Sequence, residues 1–278
     1  MYRLVALDVD GTILTNDHTL PEQVTAAIHA VQARGVQVTL ATGKLFVSLS
    51  DLMQAFALRG PQITCNGAAI CDAPSGRVLH HFPLDEREIA LSLAALAACG
   101  PEVPIAWYTT DAIYTTAPYG LIDERLAAYH EPPLIRVAAF DATLPRPVKL
   151  LMCAEPARLD ALRAQIEPVL AGKVRVVRTA IDFLECMSLG TTKGTALAIV
   201  MDMLGLSRAQ TLAIGDSEND IPLLQAAGLG IAVQNAVPEL RACAQAVTLS
   251  CDDAGVAHAL DRWMLSQERA EVPSDVTT

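Results

Sequence analysis

The sequence predicts a parallel α/β sheet with helices on both faces, interrupted by an inserted α+β unit. Three observations predict it. Residues 1–82 alternate strand-like and helix-like segments, and the same rhythm resumes near residue 190. Between them, residues 83–185 hold ten of the 16 prolines and four of the five tyrosines, and their strands do not alternate one-to-one with helices. A chain of 278 residues that is 52% hydrophobic has material for two such units.

The elements follow in order. "RLVALDV" (3–9) reads as a buried strand. "TLPEQVTAAIHAVQARG" (19–35) reads as a helix with Thr19 near its cap, Pro21 in its first turn and Gly35 as its stop. "VQVTLAT" (36–42) is the next strand, and residues 44–58 have helical periodicity ended by Gly60-Pro61. Residues 62–82 read as a strand and a hairpin turning at Ala73-Pro74-Ser75-Gly76. The insert offers strands such as "PIAWYTT", "PVKLLMCA", "KVRVVR" and "DFLECM", with helices "DEREIALSLAALAAC" and "EPARLDALRAQIEPVL", consistent with its own antiparallel sheet. The return brings helix "TKGTALAIVMDMLG", strand "TLAIG", helix "NDIPLLQAAG", strand "LGIAV", helix "VPELRACA", strand "AVTL" and helix "GVAHALDRWML". The polar end, 266–278, is expected to fray. The resulting division is a core of residues 1–82 and 186–278 and an insert of 83–185.

Bulk properties narrow the partners. A net charge of −11 argues against nucleic acid, which needs a basic footprint, and against anionic membranes. The longest uncharged stretch, 221–238, contains two prolines, Gln and Asn, and is no membrane span. Seven cysteines, an odd number without a C-x-x-C, sit mostly in apolar stretches and read as reduced core residues. No secretory leader is legible. These readings together expect a soluble cytoplasmic protein, monomer or homodimer, acting on a small molecule.

The chemistry is signalled by "ALDVDGT" (6–12). Side chains at i and i+2 of a strand share a face about 7 Å apart, so Asp8 and Asp10 repel yet can touch one small ligand. In parallel α/β sheets, ligands bind at the carboxyl ends of strands. Thr42-Gly43 ends the second strand, Asp216 follows "TLAIG", Asn219 and Asp220 open the next helix, and Lys193 opens the helix after the insert. Carboxylates, a hydroxyl, a lysine and a helix start around one rim suit a phosphate with a divalent cation. Mg²⁺ prefers a few carboxylates, waters and a phosphate oxygen. Thr42 and the N–H groups near Gly43 can donate to phosphate, and Lys193 adds a point charge.

The order of "DVDGT" (8–12), "ATGK" (41–44), Lys193 and "GDSEND" (215–220) resembles the four motifs of the haloacid-dehalogenase-like superfamily. "TCNGAAI" (64–70), "GTTKG" (190–194), "IAVQNAVPEL" (231–240) and "DDAGVAHAL" (252–260) further resemble its Cof-type phosphatases. The resemblance implies a Rossmann-like core and a cap of the larger α/β type. It also implies a Mg²⁺-dependent phosphatase acting on a small phosphomonoester, of the sugar-phosphate, pyridoxal-phosphate or flavin-precursor class, through an aspartyl-phosphate. Asp8 would then be nucleophile and metal ligand, and Asp10 general acid/base with its backbone carbonyl on the metal. Thr42, Gly43, Lys193 and Asn219 would bind the phosphate, Asp216 would be a metal ligand, and Asp220 would support the metal site. Two positions depart from the pattern: Lys44 stands where arginine is usual after Thr-Gly, and Gln234 where glycine is common.

Plainer readings exist for each residue. Asp8 and Asp10 alone are a solvated strand end, Thr42 a helix cap, Lys193 an exposed helix lysine, and Asp216 and Asp220 helix caps. Their joint order is what the plain readings do not explain. His80-His81 are adjacent strand residues that point to opposite faces and make poor co-ligands. Trp107, Tyr108, Tyr114 and Tyr119 read as packing or surface residues of the insert rather than a stacking platform, with one of the four expected to line the substrate pocket. The functional alternatives are a phosphomutase sharing the core and a non-catalytic regulator that binds a phosphometabolite. Dehalogenation needs neither Asp10 nor the metal set.

Overall fold

The computed structural model describes residues 1–100 and 103–266. The polar end expected to fray lies, past Ser266, outside the described residues. The chain begins with β1 (Leu4–Leu7), α1 (Glu22–Ala33) and β2 (Gln37–Leu40). A 3₁₀ turn then leads into α2 (Ser50–Ala55), shorter than the periodicity over 44–58 suggests. A three-stranded antiparallel sheet follows, made of β3 (Gly60–Thr64), β4 (Ala69–Ala73) and β5 (Val78–His81). It meets β2's end through a parallel bridge between Ala41 and Ile63.

The insert supplies α3 (Glu86–Ala98), β6 (Ile105–Tyr108), β7 (Ile113–Thr115), α4 (Leu121–Ala128) and β8 (Ile135–Arg136). It continues through β9 (Lys149–Cys153), α5 (Pro156–Leu170), β10 (Val174–Ala180) and β11 (Phe183–Ser188). The last strand runs three residues past 185, so the chain leaves this sheet slightly later than the sequence suggests. The return comprises α6 (Lys193–Leu204), β12 (Thr211–Gly215), α7 (Ile221–Ala226), β13 (Leu229–Ala232), α8 (Pro238–Cys243), β14 (Ala246–Val247) and α9 (Gly255–Leu260).

The core sheet runs β14-β13-β12-β1-β2, all parallel. From β1 the chain crosses outward to β2, and from β12 it crosses the opposite way to β13. Right-handed crossovers therefore put α1 and α7 on opposite faces. The switch in direction falls between β1 and β12, where ligands of such sheets bind. Fully buried Leu4, Val5, Ala6 and Leu7 make β1 the centre of one apolar cluster spanning both faces. Truncating such a leucine to alanine costs about 2–5 kcal/mol.

The second sheet runs β10-β11-β9-β6-β7-β8 and is antiparallel except for the short parallel pair β7–β8. Strand alternation divides its two faces. Trp107, Leu150, Met152, Leu184 and Cys186 pack with residues of α3 and α5. Tyr108, Leu151, Cys153, Phe183 and Met187 pack instead with α4 and with Leu45, Cys65 and Ala68 of the core. That second face covers the switch point, so the insert is a cap. By parity, Lys149 and Glu185 lie on the same core-facing side.

Candidate active site

The first strand is shorter than "RLVALDV" suggests, and this separates the paired aspartates. Asp8 N–H still donates to Ile214 O at 3.0 Å, which extends the ladder by one step. The Val9 carbonyl then accepts from the N–H groups of Thr12, Ile13 and Leu14, and the chain turns through Gly11 at φ +74°. Asp8 and Asp10 therefore sit beyond β1 rather than on one strand face. Asp8 meets Lys193. Asp10 meets Lys44 at 3.1 Å and His18 at 3.3 Å.

Around Asp8 the charges interlock. Lys193 Nζ donates to Asp8 Oδ1 and to Asp220 Oδ1, both at 2.6 Å. The lysine is buried at the first position of α6, whose N-cap Thr192 accepts from Thr195 N–H. Asp220 Oδ2 accepts from the N–H groups of Asp216 and Ser217, each at 3.1 Å. That fold-back requires Gly215, since a Cβ there would lie 2.5 Å from Asp220 Cγ. Asp216 accepts from Thr12 Oγ1 at 3.3 Å and from Ser217 Oγ at 2.9 Å.

One carboxylate oxygen each from Asp8, Asp216 and Asp220 lies within 4.8 Å of the others. Three carboxylates against one ammonium leave two negative charges in a buried place. Burial, then the charge of Asp220, pushes the Asp8 carboxyl well up. The same two causes raise Asp216 to about 6. Burial opposes the charge of Lys193, but Asp220 and Asp8 outweigh it and hold the ammonium protonated. These oxygens are hard donors of the type a small divalent cation takes. Among the described residues this is the one group of three or more acidic, His or Cys side chains close enough to hold a metal. His80 and His81 are exposed on β5, away from it.

Asp8, Asp10, Thr42, Gly43, Asp216 and Asn219 line one cavity between core and cap. Thr42 is buried after β2, and its Oγ1 accepts from Lys44 N–H at 3.2 Å. Burial tends to raise the Asp10 carboxyl, but the close contacts with His18 and with the Lys44 ammonium outweigh it and bring it below its ordinary value. Asp8, Asp10, Thr42, Gly43, Asp216 and Asn219 thus reach the cavity, and Lys193 and Asp220 the acidic cluster beside it.

Residues not singled out complete the lid of that cavity. Lys149 and Glu185, each 2% exposed, pair at 2.7 Å on the inner face of the cap. Each also reaches the core: Lys149 Nζ donates to Gly43 O at 2.9 Å, and Glu185 Oε2 accepts from Asn66 Nδ2 at 2.7 Å. Asn66 Oδ1 in turn accepts from Asn219 Nδ2 at 2.8 Å. A carboxylate only accepts, so Glu185 fixes which way both amides face. Cys65, Asn66 and Gly67 all have positive φ, and a Cβ on Gly67 would lie 2.2 Å from Thr192 O. This strained turn is held where it touches the start of α6, next to Lys193.

Further cap residues join these. Glu131 accepts from Ser48 Oγ at 2.6 Å and from Leu45 N–H, and burial raises its carboxyl. Lys44 Nζ donates to Tyr129 O. Tyr108 lines the cavity beneath Lys149, whose Nζ is 4.2 Å from the ring centre, so it is more than a packing residue. Trp107 does pack, stacked on Phe140, while Tyr119 is exposed. Two signals marked the cap pair: Glu185 is a lone acid inside an apolar strand, and Lys149 opens another.

A sequence profile of the haloacid dehalogenase-like hydrolases matches residues 5–260. The chain belongs to that family. It is 31% identical to a putative phosphatase of Streptococcus pyogenes, over 95% of this chain and 99% of that one. An HMP-PP phosphatase of Citrobacter koseri is 29% identical over 95% of this chain and 96% of its own length. A solved haloacid dehalogenase-like hydrolase from B. subtilis superposes with a TM-score of 0.82 at 27% identity, covering 94% of this chain and all of that one. The protein is a hydrolase of phosphate monoesters. No helix among the described residues is long and apolar enough to cross a membrane.

Proposed function

We propose that this hydrolase is a Mg²⁺-dependent phosphatase of a small phosphorylated metabolite, working through an aspartyl-phosphate on Asp8. The observation that carries the reading is Lys193, which joins Asp8 and Asp220 at 2.6 Å and is buried behind Asp8 and Asp216, two residues that line the capped cavity. Asp8, Asp216 and Asp220 would hold Mg²⁺ through carboxylate oxygens, and the family resemblance adds the Asp10 backbone carbonyl. When bound, the ion would neutralise charge on the phosphoryl oxygens.

The chain's own groups do the rest. Asp8 offers a carboxylate oxygen to phosphorus. Thr42, the N–H groups near Gly43, Lys193 and Asn219 hold the phosphoryl oxygens. Asp10 donates a proton to the departing alkoxide and then takes one from the water that cleaves the aspartyl-phosphate. Lys44 and His18 favour its ionised form, which suits the second step. An arriving phosphate dianion favours the protonated form by like-charge repulsion, which suits the first. The cap excludes water and supplies the walls that meet the leaving group.

Phosphate release from p-nitrophenyl phosphate and a panel of sugar and cofactor phosphates, with Mg²⁺ or with chelator, tests this. Release that requires Mg²⁺ is expected. Undiminished release from metal-free protein in chelator would contradict the metal reading. Migration of the phosphoryl group within a sugar, with no free phosphate, would indicate a mutase.

A further inference from the structure

The cap reaches the cavity floor through a chain of hydrogen bonds whose direction is fixed, and its role for the phosphoryl group rests on the phosphatase reading. Three donors converge on Glu185 of β11. Lys149 Nζ and Thr179 Oγ1 donate to Oε1 at 2.7 and 3.0 Å, and Asn66 Nδ2 donates to Oε2 at 2.7 Å. A carboxylate only accepts, so Asn66 turns its nitrogen to the cap and its oxygen to Asn219. Asn219 must then turn its own nitrogen to Asn66, at 2.8 Å. Without the carboxylate, both amides can turn end for end and still bond each other.

Asn66 is itself held against the residues that follow β2. Its N–H donates to Thr42 O at 2.8 Å, its φ is +57°, and a Cβ on Gly43 would lie 3.1 Å from its Nδ2. Asn219 lines the cavity and is 5% exposed. Its amide is left half used among the described residues: Nδ2 has given one hydrogen of two, and Oδ1 is buried without a partner. Buried polar atoms are seldom left so. The unused half of this amide is what a ligand in the cavity would take up.

We infer that Glu185 and Asn66 are positioning residues for the phosphoryl group: acting in series, they aim the remaining Nδ2 hydrogen of Asn219 at a phosphoryl oxygen. Glu185 belongs to the cap and Asn219 to the core, so this donor is set only with the cap in place. Glu185→Gln reverses the chain. An oxygen at the Oε1 position keeps Lys149 and Thr179, but the new amide nitrogen faces Asn66 Nδ2, donor against donor. Relief requires both asparagines to turn, which carries the Asn219 nitrogen to where its Oδ1 now stands.

The test measures kcat/KM for p-nitrophenyl phosphate with Mg²⁺, and binding of inorganic phosphate by calorimetry. The variants are Glu185→Gln, Asn66→Gly (glycine keeps the positive φ) and each of these in an Asn219→Ala background. Each single change is expected to lower kcat/KM about tenfold or more and to weaken phosphate binding. In the Asn219→Ala background, itself reduced in activity, the same changes should cost less than about threefold, because the group they act through is gone. Equal losses in both backgrounds, or full activity of Asn219→Ala, would overturn the inference and leave the phosphatase reading intact. If Glu185→Gln does not fold, Asn66→Gly decides alone, since it leaves the Lys149 pair whole. No phosphate release by the wild-type chain from this or any sugar or cofactor phosphate would overturn both.

Discussion

The core buries a lysine beside the cavity and the cap buries one in its wall, by different means. Lys193 comes from a helix start and is gripped by two carboxylates, both at strand ends of the parallel sheet or just beyond. Lys149 comes from a central strand of the cap sheet and is gripped by one carboxylate from a neighbouring strand and one core carbonyl. The first arrangement concentrates negative charge around a point where a metal and a phosphate fit. The second closes a lid, because both partners of the ion pair also bind the core. In the function proposed above, chemistry is a property of one sheet's rim, and selection of the leaving group a property of the other sheet's face.

Substitutions can break that division. The largest effect is expected for Asp8→Asn, which should lower turnover on the order of 10³-fold or more. It also removes one of three crowded acids, so resistance to urea should be unchanged or higher. A loss of activity that tracks a loss of folding would remove the distinction between chemistry and scaffold here.

The cap pair should behave oppositely. Glu185→Ala leaves the Lys149 ammonium buried without a carboxylate, and stability should fall by about 3–5 kcal/mol. Replacing both, Glu185→Leu with Lys149→Met, should recover most of that loss in urea unfolding. Equal destabilisation by the single and double changes would mean that packing, not charge pairing, holds the lid.

Acidity sharpens the contrast from the core side. Asp216 is raised from an ordinary 3.8 to about 6, chiefly by burial, and Asp8 is raised as well. Between those values the folded state binds protons more tightly than the unfolded chain. Metal-free protein should therefore lose stability as pH rises through about 4 to 6. Stabilisation by added Mg²⁺ should grow over the same interval, since the metal needs ionised ligands. Thermal unfolding with Mg²⁺ and with chelator, from pH 4 to 8, checks both slopes.

The smallest effect belongs to the rim. Arg163 and Glu218 join cap to core but are 28% and 35% exposed. Arg163→Ala should cost less than about 1 kcal/mol, shrinking further in salt. A larger loss would make the exposed contact, rather than the buried pair, the principal clasp.

The core half of this comparison was legible in the sequence because its residues cluster at strand ends, where chemistry-bearing types stand out within a few positions. Asp8, Asp216 and Asp220 fall in two short motifs, and the parallel rhythm around them fixes which ends converge. The cap half was not. Lys149 and Glu185 are 36 positions apart, and their meeting depends on strand order and antiparallel register, which periodicity does not specify. The extent of β1 was also misjudged, since apolar Val9 reads as strand while its carbonyl in fact anchors a turn. Pro21 likewise stands as the N-cap of α1 rather than inside its first turn. Asn66 lay within a recognised stretch, yet its position between Glu185 and Asn219 follows from a strained turn that composition does not announce.

The most direct measurement is the site of phosphorylation. Wild-type protein mixed with Mg²⁺ and radiolabelled aryl phosphate, quenched in acid within milliseconds and mapped by peptide mass, should carry the phosphoryl group on Asp8. Asp10→Asn should accumulate more of the same adduct, because its hydrolysis lacks a base. A phosphoryl group on any other residue, or undiminished turnover by Asp8→Asn, would contradict the assignment of the chemistry to the rim of the core sheet.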